Sequence, residues 1–169
     1  VADLEQVQVI LSEAQLDYQL ELVDGKIIVM GASDIISSEI GAELVRLLGN
    51  WVKPRKLGRV FESSGGFILP NSDLTAPDVS FVAADRLKQS KRYFGELVPD
   101  LVVEIKSQSD RIKPLKEKLL SFIEHGAKVG ILIAPDKCTV TIYRPAAELI
   151  VLRDGDMISI PELLPGWEV

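Results

Sequence analysis

Apolar residues recur along the chain in two rhythms. From Tyr18 to Val23 and again from Lys26 to Met30 the residues are those of strands, and Asp24-Gly25 between them is a strong hairpin signal. Beyond Gly31-Ala32-Ser33-Asp34 the period lengthens: Ile36, Ile40, Leu44, Leu47 and Leu48 fall at helical spacing. An amphipathic helix is therefore expected over about residues 35 to 52, with Ser33 or Asp34 as its cap and Pro54 as its stop. Strands are expected near Arg59–Glu62, Phe67–Leu69, Val79–Val82 and Leu101–Lys106, with Gly65-Gly66 as a bend or bulge. A second helix runs from about Lys113 to Glu124, with Pro114 in its first turn and Gly126 as its stop. Val129–Ile133 and Thr139–Tyr143 then form another hairpin pair around a tight turn at Pro135-Asp136. The order helix, strands, helix, strand puts the chain in the mixed α/β class, with a central mixed sheet flanked by helices and an N-terminal β-hairpin.

Composition narrows the chemistry. At 169 residues and 47% hydrophobic content the chain can bury one sizeable core, and no Gly/Ser or Pro tract divides it, so residues 1–169 are read as one domain. No apolar run reaches the roughly 18 to 20 residues that span a bilayer, and no basic flank precedes an apolar signal core. A cytoplasmic protein is expected. The single cysteine, Cys138, excludes an internal disulfide and a thiolate-rich zinc site, and its place beside a turn suggests a packing residue. The single histidine, His125, ends the second helix, where it meets the helix dipole and caps unpaired carbonyls. Neither residue has the setting of a Ser-His-Asp or Cys-His nucleophile system, and no Walker loop or dinucleotide-binding fingerprint is present.

What remains is carboxylate chemistry. In Val98-Pro99-Asp100-Leu101-Val102-Val103-Glu104-Ile105-Lys106, alternation puts Glu104 and Lys106 on one side with Val102, and Leu101, Val103 and Ile105 on the other. Like-facing strand positions lie roughly 7 Å apart, so a carboxylate holding a divalent cation would have an ammonium near the water on that cation. A magnesium-type ion needs a second carboxylate. Asp100 sits about 13 Å along the same strand, and Asp136 belongs to a turn between strands. Asp78, in Ala76-Pro77-Asp78-Val79-Ser80-Phe81-Val82, opens an apolar strand that can return alongside Glu104.

Pro77-Asp78 followed by Glu104-Ile105-Lys106 resembles the PD-(D/E)XK signature of restriction-endonuclease-like nucleases. The likeness extends through Tyr18–Met30, Ala76–Val82, Pro99–Asp110, Leu115, Glu117, Lys118, Gly126, Ile142-Tyr143-Arg144-Pro145 and Leu164-Pro165-Gly166-Trp167, in the order seen in the Uma-two family. Gln108, Ile131 and Ala134 depart from it, standing where proline, tryptophan and aspartate are usual. The resemblance implies a restriction-endonuclease-like core and DNA as substrate. It also implies Mg²⁺ (or Mn²⁺) held by Asp78, Glu104 and the Ile105 backbone carbonyl, with Lys106 serving the attacking water.

Other residues are candidates for accessory parts. Glu39 and Glu43 share a face of the first main helix, Glu62 lies on the strand region before Asp78, and Lys118 occupies a recurrent position on the second main helix, suited to orienting the site or meeting a phosphate. Against DNA stands the net charge of -6, from 19 Lys and Arg and 25 Asp and Glu. Three basic clusters offset it locally: Lys53, Arg55, Lys56 and Arg59; Arg86, Lys88, Lys91 and Arg92; and Arg111, Lys113, Lys116 and Lys118. A duplex cutter with one site per chain needs two chains, so a homodimer is expected, with the Asp24-Gly25 hairpin and the Ile158–Trp167 segment as candidate contact surfaces. Acidity and small size also leave a second reading, a catalytically idle nuclease fold that serves as an interaction or regulatory module.

Overall fold

The computed structural model of the chain describes residues 2–13, 18–87 and 95–169. Its elements are α1 (Ala2–Glu13), β1 (Gln19–Val23), β2 (Lys26–Met30), α2 (Ile35–Arg55), β3 (Gly58–Glu62), β4 (Phe67–Ile68), β5 (Leu74–Thr75), β6 (Val79–Ala83), β7 (Leu101–Ile105), α3 (Ile112–Glu124), β8 (Val129–Ala134), β9 (Thr139–Tyr143) and β10 (Ile150–Arg153). The main sheet has the order β10-β9-β8-β7-β6-β3. Among the described residues of this sheet only β7 and β8 pair in parallel, and α3 makes the crossover between them.

β7 and β8 are buried along their whole length, as their near-continuous apolar runs require of central strands covered on both faces. Leu44, Leu48 and Val52 of α2 cover one face, against Val79, Phe81, Val103, Ile105, Ile131 and Ile133. Leu119 and Phe122 of α3 cover the other, against Val102, Leu132 and Tyr143. Each such Leu or Phe, fully buried, contributes about 1.5 to 3 kcal/mol. Gly58 starts the β3–β6 pairing where a Cβ would lie 2.0 Å from the Val82 carbonyl oxygen, a closeness only glycine allows. The second sheet, β2-β1-β5-β4, shares a small core of Leu20 and Leu74 with Val7 and Leu11 of α1.

Several expectations are corrected. α2 runs through Pro54 to Arg55: a proline in the last turn forfeits one hydrogen bond, and Lys56 in a left-handed conformation ends the helix by donating to Lys53 and Val52 carbonyls. Cys138 is exposed at a left-handed turn position, its Sγ 3.7 Å from the Pro135 carbonyl oxygen, and lies outside the core. Ile160, Leu164 and Trp167 are buried in the core on the α2 side, so the apolar side chains of the C-terminal segment complete that core within the chain. Asp34 is the cap of α2, accepting from Ser37 N. His125 caps α3 as expected, its Nδ1 lying 2.7 Å from the Ser121 carbonyl oxygen. Among the described residues no helix is long and apolar enough to cross a membrane.

Candidate functional site

Antiparallel pairing of Val79 with Val103 brings Asp78, one step ahead of β6, opposite Glu104 at the end of β7. The Ile105 N–H donates to Asp78 Oδ2 at 2.7 Å and fixes that carboxylate. A strand residue directs its N–H and C=O toward the same neighbour, so the Ile105 carbonyl faces the Asp78 side as well. Glu104 is 2% exposed and shares its face with Val102, toward α3.

The ammonium that meets Glu104 is that of Lys118, on α3. Its Nζ lies 3.1 Å from Glu104 Oε1 and 2.9 Å from Glu21 Oε1, and it donates to the Ala76 carbonyl at 2.9 Å. The contact to Glu104 is an ion pair, and among the described residues no other group donates to the buried Glu104 Oε1. Glu21, 3% exposed on β1, also accepts from Thr75 Oγ1 at 2.8 Å and Ala76 N at 2.7 Å. No signal in the sequence marked Glu21: a strand glutamate between Leu20 and Leu22 reads as a solvent-facing residue until Lys118 of α3 reaches it.

Electrostatics follow from this crowding. Burial, opposed by Lys118 and reinforced by Asp78, pushes the Glu104 carboxyl up to about 8. Burial also raises Asp78, although the Ile105 N–H and Lys118 work the other way. Burial alone would lower the Lys118 ammonium, but Glu104 and Glu21 outweigh it and raise it. Lys118 is thus a fixed cation between two acids.

Lys106 extends elsewhere. Its Nζ lies 3.2 Å from Asp136 Oδ2 and donates to the Ser107 carbonyl at 3.1 Å. The chain after it is pinned: Ser107 donates from N and Oγ to Asp110 Oδ2 at 2.9 and 2.6 Å, and Gln108 N donates to Asp34 Oδ2 at 2.7 Å. Gln108, standing where the family usually has proline, thereby uses an N–H that proline lacks.

A cleft of about 430 Å³ opens beside Asp78 and Ile105, walled by Ser33, Ser37, Ser38, Gly41, Ala42 and Val45 of the α2 side and by Glu62 and Ser63. Glu62, one of the accessory acids, therefore shares the cleft with Asp78, its carboxylate accepting from Ser64 N at 3.2 Å. Glu39 and Glu43 do not line it. Both are exposed, and Glu43 is engaged by Arg46, whose Nε donates at 2.8 Å. The first basic cluster sits exposed at the far end of α2 and the start of β3, about 30 Å of helix away from the Ser33 end. Arg86 of the second is paired with Asp100, and Lys88, Lys91 and Arg92 lie outside the described residues. Of the third, Arg111, Lys113 and Lys116 are exposed at the start of α3 and Lys118 turns inward.

Among the described residues no group of three or more His, Cys, Asp and Glu side chains is arranged to hold a metal ion. The donors at hand are two carboxylates and a carbonyl. They are hard oxygen ligands, and with Glu21 they set three acids against the one ammonium of Lys118. This all-oxygen donor set, with more acid than ammonium, fits Mg²⁺ or Mn²⁺.

The protein resembles a solved structure described as a "putative nuclease belonging to DUF820" from Anabaena variabilis ATCC 29413, with 26% identity and a TM-score of 0.80 over 90% of this chain and 88% of the other. A DrdV–DNA complex shares 16% identity at a TM-score of 0.48 over 71% of this chain and 10% of that one, a likeness too slight to inform on the site. No curated protein matches the sequence. The Uma2 family model, "Putative restriction endonuclease", matches residues 2–169, and the chain belongs to that family.

Proposed function

We propose that the protein is a metal-dependent endonuclease that hydrolyses phosphodiester bonds of DNA, with Asp78, Glu104 and the Ile105 carbonyl as the ligands of Mg²⁺ or Mn²⁺. The observation that carries this reading is the antiparallel pairing that sets Asp78 opposite Glu104 across β6 and β7, a half-buried acid and a buried one that repel each other. When bound, the cation supplies Lewis-acid polarisation of the phosphate and lowers the pKa of a bound water. The chain's residues do the rest. The Ile105 N–H holds Asp78 in one orientation, and the sheet keeps Glu104 from turning away. Lys106, two residues past Glu104 and 11% exposed, can turn to the water or a phosphate oxygen by releasing Asp136, a surface partner 50% exposed that binds weakly. Glu62 stands across the cleft as an acid that can approach the same ion.

The net charge of -6 is met locally, since a divalent cation neutralises the acids at the centre and Arg111, Lys113 and Lys116 border α3 on the outside. Two copies serve a duplex, and the exposed Ile27, Ile28 and Val29 of β2, on the edge of the second sheet, are the contact surface that fits. In a cleavage assay on single-stranded, duplex and branched DNA, wild type is expected to cut with Mg²⁺ or Mn²⁺ and not with EDTA, and to scatter light as twice 18.6 kDa. Asp78→Asn should lower the rate at least about 100-fold. A stable, metal-supplied wild type that cuts none of these substrates would leave the catalytically idle interaction module as the reading.

A further inference from the structure

The Lys118 ammonium is surrounded as a metal ion would be. Ala76 O and Glu21 Oε1 lie at 2.9 Å and Glu104 Oε1 at 3.1 Å, a carbonyl and two carboxylates around one cation that the chain itself supplies. We propose that Lys118 is an internal counter-cation of Glu104 which a divalent cation displaces, and that Glu21 is the positioning residue that keeps the displaced ammonium at the rim of the site. The inference rests on the reading of Asp78 and Glu104 as ligands.

The three partners of Lys118 are unequal. Lys118 donates a hydrogen bond to Ala76 O and forms ion pairs with the two acids, of which the Glu104 contact is the longer, so Glu104 is the partner most easily released. Glu21 is tied by Thr75 Oγ1 and Ala76 N to the chain that leads into Asp78, and it stays where it is. A lysine that lets go of Glu104 therefore remains held at Ala76 and Glu21. Its long flexible stem allows that short shift without moving α3.

Charge points the same way. Glu21, Asp78 and Glu104 face the single positive charge of Lys118, and Lys106, the other nearby ammonium, is occupied by Asp136. With all three acids ionised, two negative charges are left over, the number that a divalent cation supplies. The ammonium retained beside that ion is then a second positive group for a phosphate oxygen.

Isothermal titration of Mn²⁺ into the metal-free full chain tests the exchange, comparing wild type with Lys118→Met, Glu21→Gln and Lys106→Met. Removing the competitor should tighten Mn²⁺ at least about 10-fold in Lys118→Met. Removing the anchor hands Lys118 to Glu104, so Glu21→Gln should weaken Mn²⁺ by about 3-fold or more. Lys106→Met should match wild type within about twofold, since its partner lies outside the cage. Unchanged or weaker Mn²⁺ binding by Lys118→Met overturns the proposal, as does a failure of both that variant and wild type to bind Mn²⁺. If Lys118→Met does not fold, Glu21→Gln decides, and equal or tighter binding there overturns it. DNA cleavage by wild type without these affinity changes removes the exchange alone. The affinity changes without cleavage keep the exchange and remove the nuclease.

Discussion

Strand β7 has a buried carboxylate at each end, and the fold treats them in opposite ways. Asp100, just ahead of the strand and 0% exposed, meets Arg86 at 2.9 Å and Lys128 at 3.0 Å and accepts from Ala83 N at 2.9 Å. Burial works against its charge, yet the Ala83 N–H and the two cations hold its carboxyl below the usual range. Glu104, four residues on, shares one ammonium with Glu21 and faces Asp78, and its carboxyl is pushed up to about 8. One acid has two cations, and the other shares one with a second acid. An acid with surplus compensation is an anchor that ties β6, β7 and the start of β8 together. An acid left short of compensation persists at a cost in stability, which marks it as a place for a ligand.

Neutral replacements should separate the two most widely. Asp100→Asn leaves Arg86 and Lys128 without their acid and is expected to cost about 2 to 4 kcal/mol in urea unfolding, with Mn²⁺ affinity unchanged. Glu104→Gln should cost less than about 1 kcal/mol in the metal-free protein at pH 8, or stabilise it, because Lys118 keeps Glu21 and Ala76 O. A Glu104→Gln variant destabilised as much as Asp100→Asn would erase the contrast.

A smaller effect is expected in the dependence on pH. Between the ordinary glutamate value of 4.5 and about 8, folded Glu104 keeps a proton that the unfolded chain has lost. Stability of the metal-free protein should therefore fall as pH rises through that window, and Asp78, also raised, adds to the fall. Asp100 has the opposite sign: its contribution is present above 3.8 and lost as the medium becomes more acid. Saturating Mg²⁺ should flatten the upper slope, and Glu104→Gln should remove that residue's share. A melting temperature that rises steadily from pH 5 to 8 without metal would contradict the assignment at Glu104.

Much of this was legible in the residues. Period-2 and helical spacing located α2, α3 and the central strands, because each presents an apolar face to a core, while Asp24-Gly25 marked the first hairpin although β2 is largely exposed. α1, β5 and β10 were not foreseen: β5 is two residues long, and Ile150 and Val151 of β10 are exposed at a sheet edge. The approach of Asp78 to Glu104 followed from strand alternation and the Pro-Asp spacing. The choice of lysine did not. Alternation put Lys106 on the face of Glu104, but Lys106 lies just past the strand's end and reaches Asp136 in the β8–β9 turn, while Lys118 comes from a helix whose rotation depends on Leu119 and Phe122 packing. Glu21 was invisible for a related reason, since its role depends on how a separate sheet docks.

The most direct test of the centre is a crystal structure of the wild-type protein with Mn²⁺, read by anomalous scattering at the manganese edge. The expected result is one ion between Asp78 and Glu104, within about 2.0 to 2.2 Å of their oxygens, with Lys118 withdrawn from Glu104 and still at Glu21. Strong manganese signal elsewhere, or none at all, with Lys118 unmoved beside Glu104, would contradict it.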